Sequence, residues 1–180
     1  RVVFTHAHPD HIWGTTASDG TLLFPNAAYY VSAVERDFWM TPDLESTMPR
    51  EMHPLVAGAR ANLEAVADRL TVVRPGDDIV SGISVVDTAG HTPGHISLAL
   101  EGEDGLLIPA DAITEPAIYF AHPEWLFAFD MDGGQAVASR KAILDRAATD
   151  RMKMLGFHWP YPGTGFAERH GSAYRFVPLG

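Results

Sequence analysis

The chain has no cysteine, and that absence excludes disulfides, thiolate zinc sites and cysteine nucleophiles together. It leaves the compartment open, because a reducing cytosol and an exported protein without disulfides both fit. Positive charge is scarce. Thirteen Lys and Arg stand against 23 Asp and Glu, a formal net charge of −10. With no basic stripe to neutralise phosphates, nucleic-acid and anionic-membrane binding are disfavoured. No stretch approaches the ~20 consecutive apolar residues of a membrane-spanning helix. No Gly-x-Ser-x-Gly elbow occurs, so a serine hydrolase of that design is not expected. Internal repeats and low-complexity tracts are also missing. Arg1-Val2-Val3-Phe4-Thr5 reads as the end of a strand with no initiator Met. The chain is therefore expected to be a trimmed piece, and its localisation is not legible.

What is present is enough for one packed domain over residues 1–180. The apolar fraction is 46% and the charged fraction 20%, which excludes wholesale disorder. The 16 Gly and 13 Pro are spread along the chain, as many short elements joined by turns require. Apolar, β-branched runs predict strands over 2–5, 28–31, 71–73, 83–88, 96–100, 106–108, 152–157 and 174–177. Turn signals separate them, including 75–78 and 101–105. Ser32 lies three residues before Glu35 and predicts a capped helix through about residue 40. Residues 41–50 read as a loop. Leu55, Ala59, Leu63, Val66 and Leu70 lie on one face of an expected helix over 54–70, and Val137, Leu144 and Ala147 on one over 134–148. Strands interleaved with helices give an α/β or α+β class.

The chemistry concentrates in Thr5-His6-Ala7-His8-Pro9-Asp10-His11. Three imidazoles and a carboxylate follow directly on a strand, the usual place for site residues. Alternate residues of extended chain point the same way, so His6 and His8 reach one ion. Asp10 and His11, beyond the turn at Pro9, face a second. Three later strand ends repeat the arrangement: His91 after 83–87, Asp111 after 106–108 and His158 after 152–155. A donor set of imidazole nitrogen and carboxylate oxygen without sulfur suits zinc, and also manganese, iron or cobalt.

The His-x-His-x-Asp-His pattern followed by a lone His, Asp and His at strand ends resembles the metallo-β-lactamase superfamily over essentially the whole chain. Phe24-Pro25-Asn26-Ala27, Asp37-Phe38-Trp39, His91-Thr92-Pro93-Gly94-His95 and Tyr174-Arg175-Phe176-Val177-Pro178 resemble its methyl parathion hydrolase-like branch. The resemblance implies a four-layer αββα sandwich with two metals at one edge between the sheets. His6, His8 and His91 would hold the first metal, Asp10, His11 and His158 the second, and Asp111 would bridge both. The family domain has an N-terminal sheet segment ahead of the His-x-His motif. The chain is accordingly expected to be the C-terminal majority of one domain, its N-terminal part missing. Two positions depart from common family patterns. Ala110 precedes the bridging Asp where many members have Gly, and Thr114 stands where quorum-signal lactonases carry Tyr, the nearest Tyr here being Tyr119.

The implied reaction is hydrolysis of a small-molecule ester, lactone or phosphotriester by a hydroxide bridging two divalent ions, zinc first among them. Such ions lower the pKa of a shared water and polarise a carbonyl or phosphoryl oxygen. Asp10 would help orient the hydroxide or move a proton to the leaving group. His95 is expected to act behind the ligands. Trp39 and Trp159 are expected in an apolar substrate pocket. The resemblance favours a homodimer and leaves two other activities open: a glyoxalase-type thioesterase and an iron-binding oxidoreductase of the same fold.

Overall fold

In the computed structural model, which describes residues 1–103 and 105–179, the chain divides into two units, Arg1–Arg74 and Pro75–Gly180. Asp104 of the expected turn over 101–105 lies outside the described residues.

The N-terminal unit is built on three parallel strands in the order β1 (Val2–Val3), β2 (Tyr29–Ser32) and β3 (Leu70–Val73). Parallel neighbours need long crossovers. The first contains the short helix α1 (Pro9–Ile12), and the second α2 (Ala33–Trp39), α3 (Leu44–Thr47) and α4 (His53–Ala65). Ser32 caps α2 as expected, its Oγ accepting the Glu35 N–H at 3.1 Å. The loop expected over 41–50 is corrected. Asp43 takes a left-handed conformation, φ 59°, and α3 follows it, with Leu44 buried as its anchor. The helix expected over 54–70 ends earlier. A 3-10 turn over Ala67–Arg69 prolongs the helical periodicity, and Leu70 then pairs with Tyr29 as sheet. Its buried face is Val56, Ala59 and Leu63, one residue out of the expected register at Leu55.

The C-terminal unit is a seven-stranded sheet in the order β10-β9-β8-β7-β6-β5-β4. The strands are β4 (Asp78–Val80), β5 (Ile83–Asp87), β6 (Ile96–Leu100), β7 (Leu106–Ile108), β8 (Lys153–Leu155), β9 (Thr164–His170) and β10 (Ala173–Pro178). Sequence reading misses β4 and β9. The buried positions of β9 are Gly165 and Ala167, and its second half is exposed Glu168-Arg169-His170, so Phe166 is the one large apolar residue in it and no alternating apolar pattern marks the strand. Pairing with β10 makes it a strand, through a hairpin whose Gly171 sits at φ 62°. The short helix α5 (Pro116–Tyr119) and the long α6 (Gly133–Asp150) complete the unit. Asp132 caps α6, accepting the Gln135 N–H at 2.9 Å. Ile143, Leu144 and Ala147 of α6 enter a core with Leu107, Met154, Phe120 and Trp159. Each fully buried Leu- or Met-sized side chain there contributes about 1.5–3 kcal/mol.

Strand direction fixes where the functional loops emerge. β5 and β6 are antiparallel, as are β6 and β7, while β7 and β8 are parallel. β5, β7 and β8 therefore run the same way, and their C-terminal ends share one edge of the sheet. Among the described residues no helix is long and apolar enough to cross a membrane.

Candidate metal centre

In the N-terminal unit the chain leaves β1 extended through His8, whose φ of −68° and ψ of 156° precede α1. Pro9 occupies the first helical turn, where its missing N–H costs nothing. Ile12 is fully buried and anchors the turn. The result is a tight imidazole cluster. The rings of His6 and His8 meet edge to face at 4.8 Å, and those of His6 and His11 lie 4.1 Å apart. His6 offers a ring nitrogen within 4.8 Å of one on His8 and of one on His11, and Asp10 offers a carboxylate oxygen within that distance of a His11 ring nitrogen. Asp10 Oδ2 is 3.3 Å from His11 Nε2, with 49% of the Asp10 side chain exposed.

This cluster stands on a residue that sequence reading misses. Glu35 is fully buried, and its Oε1 accepts the backbone N–H of Ala7 at 2.8 Å and the Trp39 indole N–H at 2.7 Å. Ala7 lies between the two histidines and points away from them, so Glu35 pins the extended segment from behind. The capping-box spacing identified Glu35 as a helix-start residue and gave no hint of this contact.

In the C-terminal unit the three expected residues follow the strand ends on the shared edge. His91 lies beyond β5, Asp111 on a 3-10 turn beyond β7, and His158 beyond β8. One oxygen faces both imidazoles: Asp111 Oδ2 is 3.4 Å from His91 Nε2 and 3.4 Å from His158 Nε2. Gly90, at φ 132°, makes the approach of this loop to α6 feasible, because a Cβ there would lie 2.2 Å from the Ala136 nitrogen. Ala110 is held at φ 44°, a left-handed conformation that costs an L-residue about 1–2 kcal/mol.

His95 takes the supporting role expected of it, in a network with one consistent direction. It is fully buried. Its Nε2 accepts the Asp111 backbone N–H at 3.1 Å, so the ring proton sits on Nδ1 and is donated to Thr88 Oγ1 at 2.8 Å. Thr88 then donates to Ser97 Oγ at 2.9 Å, and Ser97 to the Pro109 carbonyl at 3.0 Å. The chain of bonds closes around Ala110 and holds its strained backbone.

Asp130 and Arg140 are the other pair missed. Asp130 Oδ1 is 3.0 Å from His91 Nδ1, and its Oδ2 accepts from Arg140 Nη2 at 3.2 Å. A signal for Arg140 exists in the sequence: a cation in the Ala136, Arg140, Ile143, Leu144, Ala147 stripe demands a buried anion nearby. The pocket expectation for the two tryptophans is corrected. Trp39 has no exposed surface, and its indole N–H is engaged by Glu35. Trp159 is 6% exposed, donates to the Ile113 carbonyl at 2.8 Å and meets Phe120 and Phe176 edge-on. Both are core residues with satisfied polar ends.

Residues 1–158 match the metallo-beta-lactamase superfamily, and the chain belongs to that family. It is 26% identical over 154 residues to the uncharacterized protein YobT of Bacillus subtilis (strain 168), covering 82% of this chain and 63% of YobT. It is 29% identical over 189 residues to the uncharacterized protein Rv2581c of Mycobacterium tuberculosis (strain ATCC 25618 / H37Rv), covering 99% of this chain and 74% of that one. Two solved structures share its α/β fold at a TM-score of 0.90. One is AidC, a dizinc quorum-quenching lactonase in complex with a product, N-hexanoyl-L-homoserine, at 29% identity. The other is the hydrolase AbOPH of the beta lactamase superfamily, at 30% identity. Each match covers 99% of this chain. The chain spans 63% of the length of YobT and of both these structures.

Proposed function

We propose that this chain, as one metallo-β-lactamase-type domain, carries the metal centre of a hydrolase acting on small-molecule esters, lactones or phosphotriesters. His6, His8 and His91 would hold one divalent ion, Asp10, His11 and His158 a second, and Asp111 both. The observation that carries the reading is Asp111 Oδ2, placed 3.4 Å from an imidazole nitrogen on either side. One carboxylate oxygen facing two histidines supports a bridging role. The donor set fits: imidazole nitrogens and carboxylate oxygens suit zinc, manganese, iron and cobalt alike. The lactonase and hydrolase among the structural neighbours support the substrate class.

When bound, the ions acidify a water and polarise the substrate oxygen. The chain's own residues do the rest. His6 and His8, held in extended chain by Glu35 behind Ala7, present their rings from one strand end. Asp111, held from behind by His95, keeps its carboxylate in register with His91 and His158. Asp10 Oδ2, half exposed and beside His11 Nε2, is the group to take a proton and pass it to the leaving group. Tyr119 does not replace the Tyr that Thr114 lacks. Its ring lies under the Arg140 guanidinium at 4.1 Å, and burial pushes its phenol pKa up against the opposing pull of that cation.

The test is a panel of nitrophenyl esters, N-acyl lactones and phosphotriesters offered to the full-length, zinc-loaded protein. Turnover of at least one class, abolished by chelation and restored by zinc, is expected. Zinc binding with no turnover across the panel would overturn the hydrolase reading.

A further inference from the structure

We propose that Asp130 and Arg140 form a positioning device for the metal centre: Asp130 sets the tautomer and ring plane of His91, and Arg140 holds Asp130 in place. The inference rests on the reading of His91 as a ligand. It adds two residues that the metal motif does not contain.

Several residues of the C-terminal unit constrain the His91 ring. An ionised carboxylate only accepts hydrogen bonds, so Asp130 Oδ1, 3.0 Å from Nδ1, requires the proton on Nδ1. That leaves the Nε2 lone pair directed to the side where Asp111 Oδ2 lies at 3.4 Å. Phe127 stacks on the ring at 6.0 Å, with 16° between the planes, and His95 meets it edge-on at 5.9 Å. The backbone is tied by the same segment, the Met131 N–H donating to the His91 carbonyl and the Asp132 N–H to that of Gly90.

Arg140 supplies the reason Asp130 stays in position. The guanidinium is buried, and the carboxylate has no exposed side-chain surface. Nε donates to the Ala112 carbonyl at 3.0 Å, Nη1 to those of Trp125 at 2.8 Å and Pro123 at 3.3 Å, and Nη2 to Asp130 at 3.2 Å. Its fifth neighbour is the Tyr119 ring. One cation thus grips the residue after Asp111 and, through Asp130, the ring of His91. Arginine suits this task because it keeps its charge when buried and its planar fork fits several acceptors at once. A buried ion pair is a weak source of stability, since desolvation consumes most of the Coulombic gain. Two apolar residues would fill the space as well. They would not fix an imidazole tautomer, which is the recurrent use of a carboxylate behind a metal-binding histidine.

The experiment uses the full-length protein with Asp130→Ala and Asp130→Asn. Two quantities are read. The first is the His91 tautomer, from nitrogen-15 NMR of the imidazoles in metal-free protein. The second is Zn2+ affinity, by competition with a chromophoric chelator. Wild type is expected in the Nδ1–H form. Asp130→Ala should lose that preference and bind zinc about 10–100-fold more weakly, with unchanged circular dichroism. Asp130→Asn must turn its amide oxygen to the Arg140 donor and its amide N–H to His91 Nδ1, so it should shift His91 toward the Nε2–H form and weaken zinc binding as well. If Asp130→Ala fails to fold, Asp130→Asn decides alone, and wild-type zinc affinity in it overturns the proposal. So does an Nε2–H tautomer of His91 in wild type. The tautomer is read without metal, so a protein that binds no zinc sinks the proposed function while this measurement still decides the role of Asp130.

Discussion

The N-terminal unit gathers His6, His8, Asp10 and His11 within one bend of the chain, whereas the C-terminal unit draws His91, Asp111 and His158 from the ends of three strands. The first arrangement needs little beyond a strand that stops and a proline that turns it. The second needs a sheet whose β5, β7 and β8 run in one direction, and then separate ties for the His91 and Asp111 loops. His95 ties Asp111, Asp130 and Arg140 tie His91, and Gly90 admits the backbone of α6. The local cluster is backed by a buried carboxylate, Glu35. The dispersed one relies on polar networks, and polar networks in a low-dielectric interior are costly to leave half satisfied.

That contrast is open to attack by substitution. The largest loss is expected for Arg140→Met, which strands a buried Asp130 carboxylate and removes the donors to three carbonyls. Urea denaturation should give a destabilisation of about 3–5 kcal/mol, and a change below about 1 kcal/mol would mean that the dispersed half does not depend on its clamp. Gly90→Ala puts a methyl group 2.2 Å from the Ala136 nitrogen at φ 132° and should cost about 2–3 kcal/mol in the same assay. Glu35→Ala removes one acceptor from Ala7 and Trp39. Thermal unfolding should register about 1–3 kcal/mol, less than for Arg140→Met if local clusters are the cheaper design. Ala110→Gly relieves the φ of 44° but frees the unfolded chain. The expected net gain is under about 1 kcal/mol, and a clear loss would show that the Ala110 side chain has a packing role.

The division between what was legible and what was not follows the same line. The His-x-His-x-Asp-His run and the later His, Asp and His were readable because residue type and position after a strand carry the information. The strands at 96–100 and 106–108 were readable because they are continuous apolar runs with turns on both sides. β9 was not, because its buried residues are Gly165 and Ala167 and its strand character comes from pairing with β8 and β10. Trp39 and Trp159 were misread as pocket residues because an aromatic near a ligand looks the same in sequence whether it faces solvent or core. Glu35 and Asp130 were missed for a related reason. A carboxylate announces itself as charged, and only tertiary contact reveals that it is buried against Ala7 or His91.

The central proposal is that Asp111 serves two ions, and counting metal tests it most directly. Elemental analysis of the full-length, zinc-loaded protein after gel filtration is expected to give two zinc ions per chain for wild type and no more than one for Asp111→Ala. One ion per chain in wild type, or two retained by Asp111→Ala, would contradict the account.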